Sequence, residues 1–223
     1  MDIKILSKRD LEKVLEMPKV IEAVEKAYKL KAEGEVVAWP LVEHHFPDGA
    51  EMDIRSGGVF GEVGFHGAKL LNDFPGNAAK GLMVFTGVLM VFDSSTGHPI
   101  GVMDASLITS MRTGAAGAVS TRAFARQDAS VLTLVGAGRQ AFYQAGAVIC
   151  AMPNIREIIV ADPINQDLAR QFASEAPERL KRELDIDAGG VTFRAEELET
   201  AARKADCIIT VTRATKPVVR KEW

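Results

Sequence analysis

The stretch Val131-Leu132-Thr133-Leu134-Val135-Gly136-Ala137-Gly138-Arg139-Gln140-Ala141 constrains this chain more than any other. A five-residue strand runs straight into Gly-x-Gly-x-x-Ala and then into a helix. Gly136 permits a tight turn. Gly138 has no side chain to block a diphosphate, and Ala141 is small enough for the helix to rest on the strand. The start of such a helix presents unbonded N–H groups and a partial positive charge, which suits phosphate. The spacing therefore predicts a dinucleotide site over Gly136, Ala137, Gly138, Arg139, Gln140 and Ala141.

A second strand, Glu157–Ala161, ends on Asp162, 26 residues after Gly136. A carboxylate there would accept both ribose hydroxyls of the adenosine and repel a 2′-phosphate. That predicts NAD rather than NADP; the alternative is a solvated loop aspartate. From Ser130 onward, strands and helices alternate: Arg139–Ala151, Asn165–Leu184 and Glu196–Lys204 read as helices, Val191–Arg194 and Cys207–Val211 as strands. Alternation of this kind predicts an α/β fold with a doubly wound parallel sheet. The earlier part reads differently. Ser7 and Asp10 form a capping pair, with Leu11, Val14 and Leu15 on one face. Pro18 opens a helix that Gly34 ends. Strands and turns follow, the clearest being Val84–Phe92, a turn over Asp93–Gly97, and a return at Pro99–Met103. A helix over Ala105–Ala125 leads into the alternating part. The expected division is an N-terminal α+β domain over 1–125 and a dinucleotide-binding domain over 126–223.

With 223 residues, 47% hydrophobic and 26% charged, the chain has the composition of a globular protein of one to two domains. The net charge of −3 argues against a sequence-independent nucleic-acid binder, which would need a basic surface. No apolar run reaches the length of a membrane helix, and no secretory leader is visible at the start. Cys150 and Cys207 lie in apolar segments and read as two buried thiols rather than a disulfide. The expected location is cytoplasmic.

A hydride carrier needs a substrate beside it, and three cations are candidates to hold one. Arg112 lies among small residues, Thr113-Gly114-Ala115-Ala116-Gly117. A buried guanidinium there would need an anionic partner, and the forked donors suit a carboxylate or phosphate. The small residues allow either tight helix packing or a ligand lying against the helix, and Arg112 favours the ligand. The alternative for Arg112 is a side chain reaching solvent. Lys69 stands between apolar neighbours, partly desolvated, and could pair with a carboxylate or exchange protons; alone it would read as an exposed strand lysine. Arg55 is a third anion binder. His44, His45 and His66 are too scattered for a metal site.

These residues together resemble the ornithine cyclodeaminase/mu-crystallin family, and within it the archaeal-type alanine dehydrogenases. The resemblance runs along the whole chain: Gly67-Ala68-Lys69, Phe74-Pro75-Gly76-Asn77 with Lys80-Gly81-Leu82, Gly97-His98-Pro99, Val102–Ala105, Thr109–Ala116, Gly136–Ala141, Ala205–Thr212 and Lys216-Pro217-Val218. It implies a Rossmann domain with an N-terminal substrate and dimerisation domain. It also implies NAD-dependent chemistry on a small amino or imino acid, and a homodimer. By this resemblance Lys69 and Arg112 match substrate-carboxylate and catalytic positions, Arg55 a substrate contact, and Thr113 and Thr212 positions beside the cofactor. Two departures stand out. Leu41 follows Pro40 where many members carry a cation. The sequence stops at Trp223, shortly after a fourth Rossmann strand, where members continue into a loop bearing an acid/base Asp, so a longer parent protein is expected. Three activities compete under the resemblance: an amino- or imino-acid oxidoreductase, a redox-neutral cyclodeaminase, and a crystallin-like cofactor-binding protein without turnover.

Overall fold

A computed structural model describes residues 2–223. The chain divides into two compact units. The first takes the residues up to Leu15 together with Glu25–Thr109, and the second takes Glu16–Val24 and Ser110–Trp223.

The first unit is built on one sheet. Its strands are β1 (Lys4–Leu6), β2 (Val36–Ala38), β3 (Val42–His45), β4 (Glu51–Val59), β5 (Phe65–Asp73), β6 (Phe85–Asp93) and β7 (Pro99–Asp104), in the order β1-β7-β6-β5-β4-β2, with β3 also on β4. Every pairing is antiparallel except β1 with β7. Helix α1 (Lys8–Glu12) starts as the capping pair predicts: the Asp10 N–H donates to Ser7 Oγ, and the Ser7 N–H donates back to the Asp10 carboxylate. It ends sooner than the apolar pattern implies, leaving Val14 exposed. Helix α2 (Met17–Ala32) is divided between the units, and its buried Met17 and Ile21 fall in the second. At the β6–β7 turn, Asp93 Oδ1 accepts from the N–H and hydroxyl groups of Ser95 and Thr96. The Ser95 hydroxyl bond, then those from Thr96, pull the Asp93 carboxyl down to about 2.

Side chains alternate across the sheet, so the pairing registers show which residues share a face. One row runs Ile5, Val102, Met90, Ala68, Ser56 and the next Val88, Leu70, Ile54, Val42. This face stays in solvent: Ile5 is 80% exposed, Val42 53%, Val88 45%, Met90 40% and Leu70 37%.

The second unit holds the parallel sheet. Strands β8 (Val131–Val135), β9 (Glu157–Ala161), β10 (Thr192–Ala195) and β11 (Cys207–Thr210) lie in the order β10-β9-β8-β11, all parallel. Helices α4 (Arg139–Ala151), α5 (Gln166–Leu184) and α6 (Leu198–Lys204) pack on them. Leu132, Leu134, Ile158, Ile159 and Val160 are fully buried, as central strands covered on both faces require. Asp206 joins the two strand starts: its carboxylate accepts from the N–H groups of Ser130 and Val131 and pairs with Arg126. Those backbone donors hold its carboxyl below the usual range.

Helix α3 (Ala105–Phe124) passes from the first unit to the second between Thr109 and Ser110. The reason is packing: its later turns lie directly on α4, where a Cβ at Gly114 would sit 2.4 Å from the Tyr143 carbonyl oxygen. Cys150 and Cys207 are free thiols, half-buried rather than fully buried, and burial pushes both up. Among the described residues no helix is long and apolar enough to cross a membrane.

Candidate dinucleotide site

The turn after β8 is shaped by backbone need. Gly136 has φ +105°, where a side chain is strained, and an added Cβ would lie 2.8 Å from the Val211 carbonyl oxygen. Its N–H donates to the Ala161 carbonyl at 2.8 Å, which pins the turn to the end of β9. Gly138 differs. It is the N-cap of α4 in an extended conformation that any residue adopts. A Cβ built there meets nothing within 4 Å. No protein packing demands a glycine at this position, so the open space above it is a cradle.

That space is part of a cavity of about 560 Å³, a size usual for ligand pockets. The glycine turn Gly136–Gln140 forms its floor. Asp162, Pro163, Ile164 and Leu168 line one side, and Val211, Thr212, Arg213 and Ala214 also line it. Asp162 has a structural role. Its Oδ2 accepts from the Ala137 N–H at 3.1 Å, and its Oδ1 from the N–H groups of Ile164 and Asn165, both at 3.0 Å. It is a strut between the glycine turn and the loop after β9, not a solvated loop residue. Of the carboxylate's roughly four acceptor directions three are taken, which leaves one on Oδ2 for a ribose hydroxyl. Thr212 Oγ1 accepts from the Ala214 N–H at 3.1 Å and shapes the opposite loop.

Of the residues expected at a cofactor, Gly136, Ala137, Gly138, Arg139, Gln140, Asp162 and Thr212 meet in this cavity. Ala141 is fully buried behind the turn, where its small size lets α4 approach the sheet. Arg112 and Thr113 are absent from the described residues lining the cavity. The expectation of a buried Arg112 is overturned. Arg112 is exposed, in a row at every fourth residue with half-buried Ile108 and Ala116 and exposed Ser120. The small residues also serve a different purpose from the one favoured. At Gly114 and Gly117 it is α4, not a ligand, that lies against α3.

In the first unit, Arg55 and Lys69 are direct cross-strand partners on β4 and β5. Arg55 is exposed and pairs with Asp53, Nε to Oδ1 at 3.1 Å. Lys69 is half-buried, in keeping with partial desolvation, and its Nζ donates to Thr109 Oγ1 at 3.0 Å. Sequence reasoning missed Ile164 and Leu168. The signal was present: Ile164 is apolar in a turn, and it is 95% exposed beside the cavity.

Comparison with known proteins gives a consistent picture. An archaeal alanine dehydrogenase solved as a dimer with bound NAD superposes with a TM-score of 0.88 at 31% identity, covering 100% of this chain and 64% of that one. The Delta(1)-pyrroline-2-carboxylate reductase of Thermococcus litoralis, solved with NADH and L-proline, gives 0.84 at 31% identity over 97% of this chain and 64% of that one. By sequence, the alanine dehydrogenase of Archaeoglobus fulgidus is 33% identical over 223 residues, all of this chain and 64% of that protein. The chain thus spans a little under two thirds of the length of these relatives. The model of the ornithine cyclodeaminase/mu-crystallin family matches residues 1–223, and the chain belongs to that family.

Proposed function

We propose that the chain belongs to an NAD-dependent oxidoreductase of a small amino or imino acid, of the alanine dehydrogenase or ketimine reductase type. The observation that carries this reading is the cradle over Gly138, where a Cβ would meet nothing and the first turn of α4 lines the cavity. The diphosphate rests on Gly136–Ala141, with Arg139 and Thr212 beside it. Asp162 accepts an adenosine ribose hydroxyl and disfavours a 2′-phosphate. Ile164 and Leu168 offer an apolar wall for a purine.

The N-terminal domain binds substrate and forms the dimer, and the Rossmann domain binds NAD. Bound NAD supplies a hydride acceptor. In the first unit Lys69 holds the substrate carboxylate through charge-assisted hydrogen bonds, with Arg55 adding positive potential; in the second, Arg112 is a cation for substrate or cofactor and Thr113 stands near the cofactor. Thr109, which accepts from Lys69 Nζ, orients that ammonium group. Positioning and charge stabilisation are what these side chains contribute. The location is a reducing compartment, the cytoplasm, in keeping with two free thiols.

Titration with NADH and NADPH tests the cofactor reading: NADH is expected to bind at least about tenfold tighter, and the reverse preference refutes the role of Asp162. Turnover is followed by nicotinamide absorbance with L-alanine, L-proline and L-ornithine. Net NADH production identifies a dehydrogenase. Cyclic product without net NADH identifies a cyclodeaminase, and binding with neither identifies a non-catalytic member. Lys69→Ala abolishes turnover with NAD binding within about tenfold of wild type; lost cofactor binding would show that Lys69 is misassigned.

A further inference from the structure

Two side chains of α4 reach the backbone of α3. Gln140 Nε2 donates to the Ser110 carbonyl at 3.1 Å, and Gln144 Nε2 to the Thr113 carbonyl at 3.0 Å. In an α-helix the carbonyl of residue i accepts the N–H of residue i+4. The two carbonyls are therefore those serving Gly114 and Gly117, and each has a second lone pair to offer. The same glycines mark the closest approach of the helices. A Cβ at Gly114 would lie 2.4 Å from the Tyr143 carbonyl oxygen, and one at Gly117 would lie 2.0 Å from Gln144 Oε1.

The two amides are not equivalent. Gln144 is 4% exposed, one helical turn further along. Gln140 stands in the first turn of α4 and lines the dinucleotide cavity. The carbonyl it grips lies two residues before Arg112. An amide suits this place, because it donates to a carbonyl without bringing a charge beside the diphosphate site.

We propose that Gln140 is a positioning residue. Its amide ties the first turn of α4, on which the diphosphate rests, to the turn of α3 that carries Arg112 and Thr113. The inference rests on the dinucleotide reading above. Gln144 supplies the purely structural counterpart of the same bond.

Calorimetric titration with NAD+, together with thermal melts, tests this on wild type, Gln140→Met, Gln144→Met and Gln140→Glu. Gln140→Met is expected to bind NAD+ about tenfold more weakly than wild type, the size of one lost hydrogen bond. Gln144→Met is expected to keep wild-type affinity, since Gln144 does not line the cavity. In Gln140→Glu an ionised carboxylate faces a carbonyl and cannot donate, whereas the protonated acid can. Its affinity deficit relative to wild type should therefore shrink between about pH 8 and about pH 5, while that of Gln140→Met stays constant. Wild-type affinity in Gln140→Met, or a pH-independent deficit in Gln140→Glu, overturns the proposal and leaves the dinucleotide reading intact. Absence of NAD+ binding in wild type refutes that reading, and the positioning role falls with it.

Discussion

Gly136 and Gly138 look alike in the sequence and carry different constraints in the structure. Gly136 is required by its positive φ and by the Val211 carbonyl 2.8 Å from where a Cβ would be. Gly138 is required by neither. Gly138→Ser should therefore leave stability unchanged or raise it by a few tenths of a kcal/mol, since serine is a good N-cap. The same change fills the cradle, and NADH affinity should fall about tenfold or more; unchanged affinity would show that no diphosphate lies there. Arg112 marks the limit of what could be read at this scale. Its sequence neighbours are small and apolar, which argued for burial. Exposure follows helical faces instead, and in α3 the alanines, glycines and serines are small on every side, so no polar stripe betrays which face meets solvent. Lys69 was more legible because strand alternation is simpler than helical periodicity.

Among the elements, β8, α4 and β9 begin and end where the sequence places them. Their strands are continuous buried runs, and α4 starts at a glycine that cannot be mistaken. The later boundaries differ by a residue or two: the third strand of the parallel sheet starts at Thr192, and α6 at Leu198. Helix partners are a different matter. Small residues at Gly114 and Gly117 announced that something comes close to α3, and nothing local could say that it is α4. The contact is tight and backbone-lined, so it cannot yield to an added methyl. Gly114→Ala should destabilise the second unit by about 1–3 kcal/mol, seen as a lower urea midpoint with the slope unchanged. An unaltered midpoint would mean that the helices separate without cost.

At the scale of the molecule, one face of the first unit's sheet is left exposed in the single chain. Ile5, Val88, Met90, Leu70 and Val42 form a contiguous apolar surface, and monomers rarely leave such patches in water. Burial of this face against a second copy of the chain is the outcome its exposure predicts. Met90→Asp should convert a dimer into a monomer by light scattering while leaving the glycine turn intact; a dimer that survives the change must use another surface. The Asp162 strut has a consequence of a different kind. The shape of the nucleotide cradle depends on a residue 25 positions downstream of the amide it grips. A nascent chain leaving the ribosome therefore has no finished cradle until β9 has followed α4 out and docked beside β8, and any earlier encounter with a dinucleotide meets an unformed loop.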